Sequence, residues 1–123
     1  MTIKVQLEHG GIKPEKRYSN DESYEIKSPC DFFVGAFQRF TLWTGIYIDL
    51  PPGYAGIIRG KARNYKRGLM TDGMVDHGHF TQISLTLINT SRKKIEVFRG
   101  DPIAQLVIVP TIEAEFEEVD DDI

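Results

Sequence analysis

From Thr44 to Pro110 the chain is cut into short apolar segments by glycine and proline turns, and no window carries a long 3.6-residue apolar period. Ile83, Leu85 and Leu87 alternate with Ser84, Thr86 and Ile88 before the polar Asn89-Thr90-Ser91, the period of a strand with one polar side. Leu42–Leu50 reads as a strand that must stop at Pro51-Pro52-Gly53, because tandem prolines cannot continue a ladder. Tyr54–Ile58, Lys93–Phe98 and Ile103–Val109 supply further strands, the last two separated by the turn Arg99-Gly100-Asp101-Pro102. The pattern predicts a nearly all-β chain of five to nine short strands in a barrel or sandwich. So small a sheet has edges to protect, by closure or by oligomerisation.

Upstream, I-K-V-Q-L alternates as a short strand and then gives way to a loop-like polar stretch to residue 20. Phe32, Phe33, Phe37 and Phe40 make residues 29–40 aromatic-rich and suggest strand or core-facing loop residues. The 123 residues suffice for one domain, assigned here to residues 1–110, with residues 111–123 as an acidic tail.

The net charge of −3 conceals a division. Seven of the 18 acidic residues lie in the tail, at Glu113, Glu115, Glu117, Glu118, Asp120, Asp121 and Asp122, leaving 11 acidic against 15 basic residues in 1–110, a balance of +4. The body can therefore attract a polyanion that the whole-chain charge would repel. The tail reads as a solvated segment, with a protein-binding role or nucleic-acid mimicry as alternatives. Its apolar content is too small to add a core strand by itself.

With 41% hydrophobic and 27% charged residues the composition is neither disordered nor membrane-spanning, and no apolar run approaches the roughly 20 residues a spanning helix needs. The N-terminal M-T-I-K-V-Q-L is too short and mixed for a signal peptide. The lone Cys30, expected as a buried small hydrophobe, rules out an internal disulfide and fits a reducing compartment, hence the cytoplasm, or a host's cytoplasm if the chain is viral.

Residues 59–67, R-G-K-A-R-N-Y-K-R, hold five cations and one aromatic. Arginine forks and mobile lysines suit phosphates, so the segment is a solvated basic loop, a nucleotide-phosphate site, or a nucleic-acid site with Tyr65 as a stacking platform. Asp76, His77 and His79 form the one cluster suggestive of acid–base or metal chemistry. The two histidines would share a side of an extended strand, with Asp76 opposite unless Gly78 breaks the alternation. No spacing selects a third zinc ligand from His9 or the carboxylates, so no metal residues are assigned. Asp76 can orient water as a general base, accept a sugar hydroxyl, or simply cap a turn. Serine-hydrolase elbows, P-loops, zincin motifs and dinucleotide fingerprints are absent.

Taken together, Cys30-Asp31-Phe32-Phe33-Val34, Thr44-Gly45-Ile46, Pro52-Gly53-Tyr54-Ala55-Gly56, Gly73-Met74-Val75-Asp76-His77-Gly78 and Gly100-Asp101-Pro102-Ile103-Ala104-Gln105-Leu106 resemble, in this order, the motifs of the dUTPase and dCTP deaminase superfamily. The resemblance covers roughly residues 28–110. It implies a distorted, jelly-roll-like β-barrel that forms a homotrimer, with nucleotide sites between subunits. It also implies Asp76 as the residue at the deoxyribose and the attacking water. Lys61, Ala62, Arg63, Gly73, His79 and Gln105 then become nucleotide-binding positions, with Mg²⁺ accompanying a triphosphate.

Several positions depart from the family pattern. Lys61 stands where a phosphate-binding arginine is usual, Ala62 where a serine is, and His79 where dUTPases carry a tyrosine beneath deoxyribose. Thr86 occupies the position of the deaminase glutamate and cannot shuttle a carboxylate proton, which argues against deamination. The acidic tail, with Phe116 its one aromatic, stands where a glycine-rich closing arm is usual, and its carboxylates would repel a triphosphate. These substitutions lead to the expectation of a dUTPase-like trimer with weak or no dUTP hydrolysis that binds a deoxynucleotide or, through its tail, a protein. The alternatives are a divergent dUTP diphosphatase using Mg²⁺ and a structural trimeric component of a larger assembly. Nucleic acid is the less favoured partner, and no membrane partner is expected.

Overall fold

A computed structural model describes residues 1–121 and resolves the alternating segments into ten strands and one short helix. The strands are β1 (Lys4–Leu7), β2 (Tyr24–Lys27), β3 (Phe32–Val34), β4 (Arg39–Asp49), β5 (Tyr54–Gly60), β6 (Leu69–Met70), β7 (Asp72–Val75), β8 (Thr81–Asn89), β9 (Ile95–Val97) and β10 (Pro102–Pro110), with α1 (Ala62–Lys66) after β5. The count exceeds the five to nine expected, because β6 and β7 are too short to leave a periodic signal.

Two four-stranded antiparallel sheets, ordered β1-β4-β8-β6 and β2-β10-β5-β7, and a β3-β9 ribbon enclose the core. On β8 the alternation works as read: Ile83, Leu85 and Leu87 are buried while Ser84, Thr86 and Ile88 face outward. Leu42, Ile46 and Ile48 of β4 meet them on one side of the core, Ile26, Ile58 and Leu106 come from the second sheet, and Val34, Ile95 and Val97 close one end. Truncating one of these to alanine is expected to cost about 2–5 kcal/mol.

The T-G-I segment is a structural device. At Thr44-Gly45 the β4–β8 register shifts between Trp43 and Tyr47, and buried Thr44 Oγ1 donates to the Ile83 carbonyl (2.7 Å) in place of a ladder bond. Gly45 has φ +73°, and a Cβ there would run into the Glu8 carbonyl oxygen, so glycine is required.

Three expectations are corrected here. Cys30 is exposed, because Ser28 rather than Cys30 takes the buried turn position and its hydroxyl donates to the Cys30 carbonyl (2.6 Å). Phe33, Phe37 and Phe40 are exposed and only Phe32 packs against the core, since Val34 supplies the inward side of β3. Residues 59–67 are not a loop between strands: Arg59 and Gly60 finish β5 and residues 62–66 form α1.

Residues 111–121 are exposed and belong to no strand or helix. Asp122 and Ile123, the end of the acidic tail, lie outside the described residues. Among the described residues no helix is long and apolar enough to cross a membrane.

Candidate functional site

Four strands place one polar residue each in a single row across the second sheet. Gln105 of β10 is paired in register with Glu25 of β2 on one side and Arg59 of β5 on the other, and Arg59 is paired with Asp72 of β7. Gln105 is held at both ends of its amide: Oε1 accepts from Ser23 Oγ (3.0 Å) and Nε2 donates to the Gly60 carbonyl (3.2 Å).

Lys61 follows β5 and turns back over this row. Its ammonium donates to Glu25 Oε2 at 2.9 Å, with the side chains only 19% and 11% exposed. A buried pair of this kind keeps both charges because each answers the other. Lys61 is therefore held as one half of an ion pair, and the exposed Arg63 and Arg59 carry guanidinium charge without an ion pair among the described residues. Ala62 and Arg63 open α1 on the exposed side.

The helix has no apolar stripe and stands on polar ties. Tyr65 Oη accepts from Gly60 N (2.8 Å) and donates to the Thr71 carbonyl (3.1 Å), so the ring is built into the frame and is not a stacking platform. Buried Asn64 donates to the Pro102 carbonyl (3.3 Å) and accepts from Arg67 Nε (3.1 Å). Of the five cations, then, Lys61 and Arg67 serve the fold, while Arg59, Arg63 and Lys66 are exposed without an ion pair among the described residues.

The remaining candidates lie toward the other end of β7. Gly73 is paired with Ile58, but Asp76, His77 and His79 follow the strand in an exposed bend. Gly78, at φ +147°, breaks the alternation and donates to the Leu50 carbonyl (3.4 Å), so the two histidines do not share a strand side. His79 contributes its carbonyl to the Thr81 hydroxyl (3.1 Å). Four residues of strand separate Asp76 from Asp72, about 13 Å along the axis. One subunit thus unites Lys61, Ala62, Arg63 and Gln105 but leaves Asp76 and His79 apart from them.

One residue of this geometry escaped the sequence reading. Glu25, in the four-residue Y-E-I-K strand, is the carboxylate at the cluster, and its backbone N–H is further fixed by the Glu15 carbonyl (2.7 Å). The readable signal was a carboxylate in a strand with buried neighbours, an arrangement that needs a cation. Asp31, matched in sequence to the first family motif, instead accepts from Arg99 N (2.7 Å) and caps the turn before β10. Thr86 lies on the outer side of β8, facing a cavity shared with Arg59 and Thr71. Among the described residues no group of three or more His, Cys, Asp or Glu side chains forms a metal cage.

The dUTPase family profile matches residues 11–122, a range that includes the acidic segment. Deoxyuridine 5'-triphosphate nucleotidohydrolase of Tropheryma whipplei (strain Twist) is 36% identical over 125 residues, covering 98% of this chain and 85% of that protein. The enzyme of the same name from Gloeothece citriformis (strain PCC 7424) is 35% identical over 125 residues, covering 98% and 86%. Among solved structures, Staphylococcus bacteriophage 80alpha dUTPase with dUpNHpp superimposes with a TM-score of 0.89 at 19% identity, covering 98% of this chain and 97% of that one. A dUTPase from phage phi11 of S. aureus, described with a structural Mg(II) ion, gives 0.88 at 20% identity, covering 98% of each chain. These likenesses establish the jelly-roll-like dUTPase fold.

Proposed function

Because the chain belongs to the dUTPase family, we propose that it hydrolyses dUTP to dUMP and pyrophosphate at a site completed by a second copy of itself. The observation that carries this reading is similarity to dUTP nucleotidohydrolases at 36% identity across 98% of the chain. It favours hydrolysis over the expectation of a chain that only binds nucleotide or protein. That expectation weighed the changes at Lys61, Ala62 and His79 and the acidic tail in place of a closing arm.

In this reading Asp76 accepts a proton from a water aimed at the α-phosphorus and also meets the deoxyribose, while His79 packs beneath the sugar and Gly73 leaves room for the base. Arg63, Gln105 and the N–H groups at Ala62 address the phosphates. Lys61, fixed by Glu25, contributes positive charge at their edge. The bond from the α-phosphorus to its bridging oxygen breaks as the water oxygen bonds to phosphorus, and pyrophosphate leaves with that bridging oxygen. Mg²⁺, when bound, neutralises charge on the triphosphate. Among the described residues no cage of three or more His, Cys, Asp or Glu side chains is formed, and an ion held mainly by phosphate oxygens and water needs none.

An oligomer enters through distance. A general base must come within about 3 Å of the proton it takes, yet Asp76 stands about 13 Å along β7 from the row that holds Gln105. The exposed bend of one subunit meeting the fixed cluster of another resolves this, and a homotrimer is the assembly inferred. The outward side of β4 and β8, where Trp43 is 60% and Ile88 45% exposed, supplies apolar surface for such contacts. The compartment assigned is the cytoplasm, on the strength of the single reduced cysteine.

Pyrophosphate release from dUTP with Mg²⁺, compared between the intact protein and Asp76→Asn, tests the reading. Turnover abolished by the substitution supports it; no turnover above the variant sinks it.

A further inference from the structure

Hydrolysis leaves unused a surface at the closed end of the core, where the β3–β4 turn meets the segment after β8. It carries Arg92, Lys93 and Lys94, and with Arg67 and Phe98 these line a cavity of about 770 Å³. The one acid in the cavity wall, Glu96, is taken by Lys94 (3.3 Å), while Arg92 and Lys93 have no ion pair among the described residues. Three phenylalanines stand beside the cations with their rings exposed: Phe33 (58%), Phe37 (68%) and Phe98 (54%). Lys94 lies 5.1 Å from the Phe33 ring centre.

Phe37 is the unusual member. Its φ of +57° is a left-handed conformation that a bulky side chain rarely adopts, and its ring gains no burial in return. The turn is held by bonds that do not involve the ring: Phe37 N donates to the Ser91 carbonyl (3.3 Å) and Gln38 N to the Gly35 carbonyl (3.1 Å). Asn89, fully buried, staples both segments by donating to the carbonyls of Val34 (3.0 Å), Gly35 (3.0 Å) and Lys93 (2.8 Å). The backbone segments that carry Phe37 and the cations are therefore fixed relative to one another before any partner arrives.

We propose that this surface binds single-stranded nucleic acid, with Arg92 and Lys93 on the phosphates and Phe37, Phe98 and Phe33 as stacking platforms. Exposed rings interleaved with unpaired cations are what a strand with unstacked bases requires. An acidic peptide would be served by the cations alone and gives no account of the rings. The surface is separate from the Gln105 and Asp76 regions, so the inference stands whether or not dUTP is the substrate.

The test is fluorescence anisotropy of the full chain with a labelled oligo(dT) of about twelve nucleotides, within the usual site size of such modules. With about two phosphates neutralised, affinity should fall roughly 7-fold between 50 and 200 mM salt. Joint Arg92→Glu and Lys93→Glu substitution should weaken binding at least about ten-fold. Phe98→Ala and Phe37→Asn should each weaken it about five-fold or more. Asparagine tolerates the left-handed conformation, so Phe37→Asn should keep or raise the melting temperature, separating lost stacking from lost folding. None of these changes should alter dUTP turnover. Absence of saturable binding, indifference to both phenylalanine changes, equal affinity for a poly-glutamate peptide, or displacement of the oligonucleotide by dUMP would each overturn the proposal.

Discussion

The two ends of the β5–β7 pair are built on different terms. At the Arg59–Asp72 end most buried or half-buried polar side chains have a partner: Lys61 has Glu25, Gln105 has Ser23 and Gly60, Tyr65 has Gly60 and Thr71, and Asn64 has Pro102 and Arg67, while the buried Thr71 hydroxyl has none among the described residues and Arg59 and Asp72 are exposed. Beyond Val75 the chain enters a bend in which Asp76, His77, Gly78 and His79 are all exposed, tied back by Gly78 N and the His79 carbonyl. The first end is finished within one subunit, whereas the second offers a carboxylate and two imidazoles with little around them. On the proposed reading, a phosphate site built in advance and a water-orienting residue presented to a neighbour together make a catalytic centre that exists only in the assembly.

Substitutions can break or sharpen that contrast. The largest effect is expected at Asp76: replacement by asparagine should lower the rate of pyrophosphate release by about 10²–10⁴ and leave the urea midpoint almost unmoved, because the side chain is exposed. Next comes Glu25→Ala, which strands Lys61 and should cost about 3 kcal/mol of stability in urea titration, while the paired change Glu25→Gln with Lys61→Met should cost clearly less. Tyr65→Phe removes the two hydroxyl bonds by which Tyr65 moors α1 and should cost about 1–2 kcal/mol, with a higher KM for dUTP as Arg63 loses its footing. The smallest effect belongs to His77→Ala, within about 0.5 kcal/mol. A large loss of stability there would mean that the bend is packed more firmly than its exposure indicates.

The contrast also explains what could be read beforehand. The long β8, with three apolar residues on one side, was legible because one face is buried along its whole length. The Thr44-Gly45 shift was visible as a motif, though its cause, the close approach of the Glu8 segment, required the fold. Helix α1 was not legible: A-R-N-Y-K has no apolar period, and it is held by the Tyr65 hydroxyl, which bonds the backbone of Gly60 and Thr71 on either side of the helix, and by Asn64, whose partner Pro102 only the tertiary structure brings near. Glu25 was hidden for the same reason, since its partner lies 36 residues away. The aromatic run misled because ring hydrophobicity was equated with burial, whereas Val34 takes the inward position and Phe33 and Phe37 turn to solvent. Asp76 was legible by motif, but its distance from Gln105 was not, because strand register rather than local sequence sets it.

Subunit mixing tests the central claim, a catalytic centre shared between copies, most directly. Asp76→Asn and Arg63→Glu proteins, each assayed alone for pyrophosphate release from dUTP, should be nearly inactive. Co-refolded in equal amounts, they should recover roughly a quarter of wild-type turnover, the fraction of interfaces that random assembly leaves with both residues intact. Mixtures no more active than their parents would place both residues in one subunit's site and contradict the account.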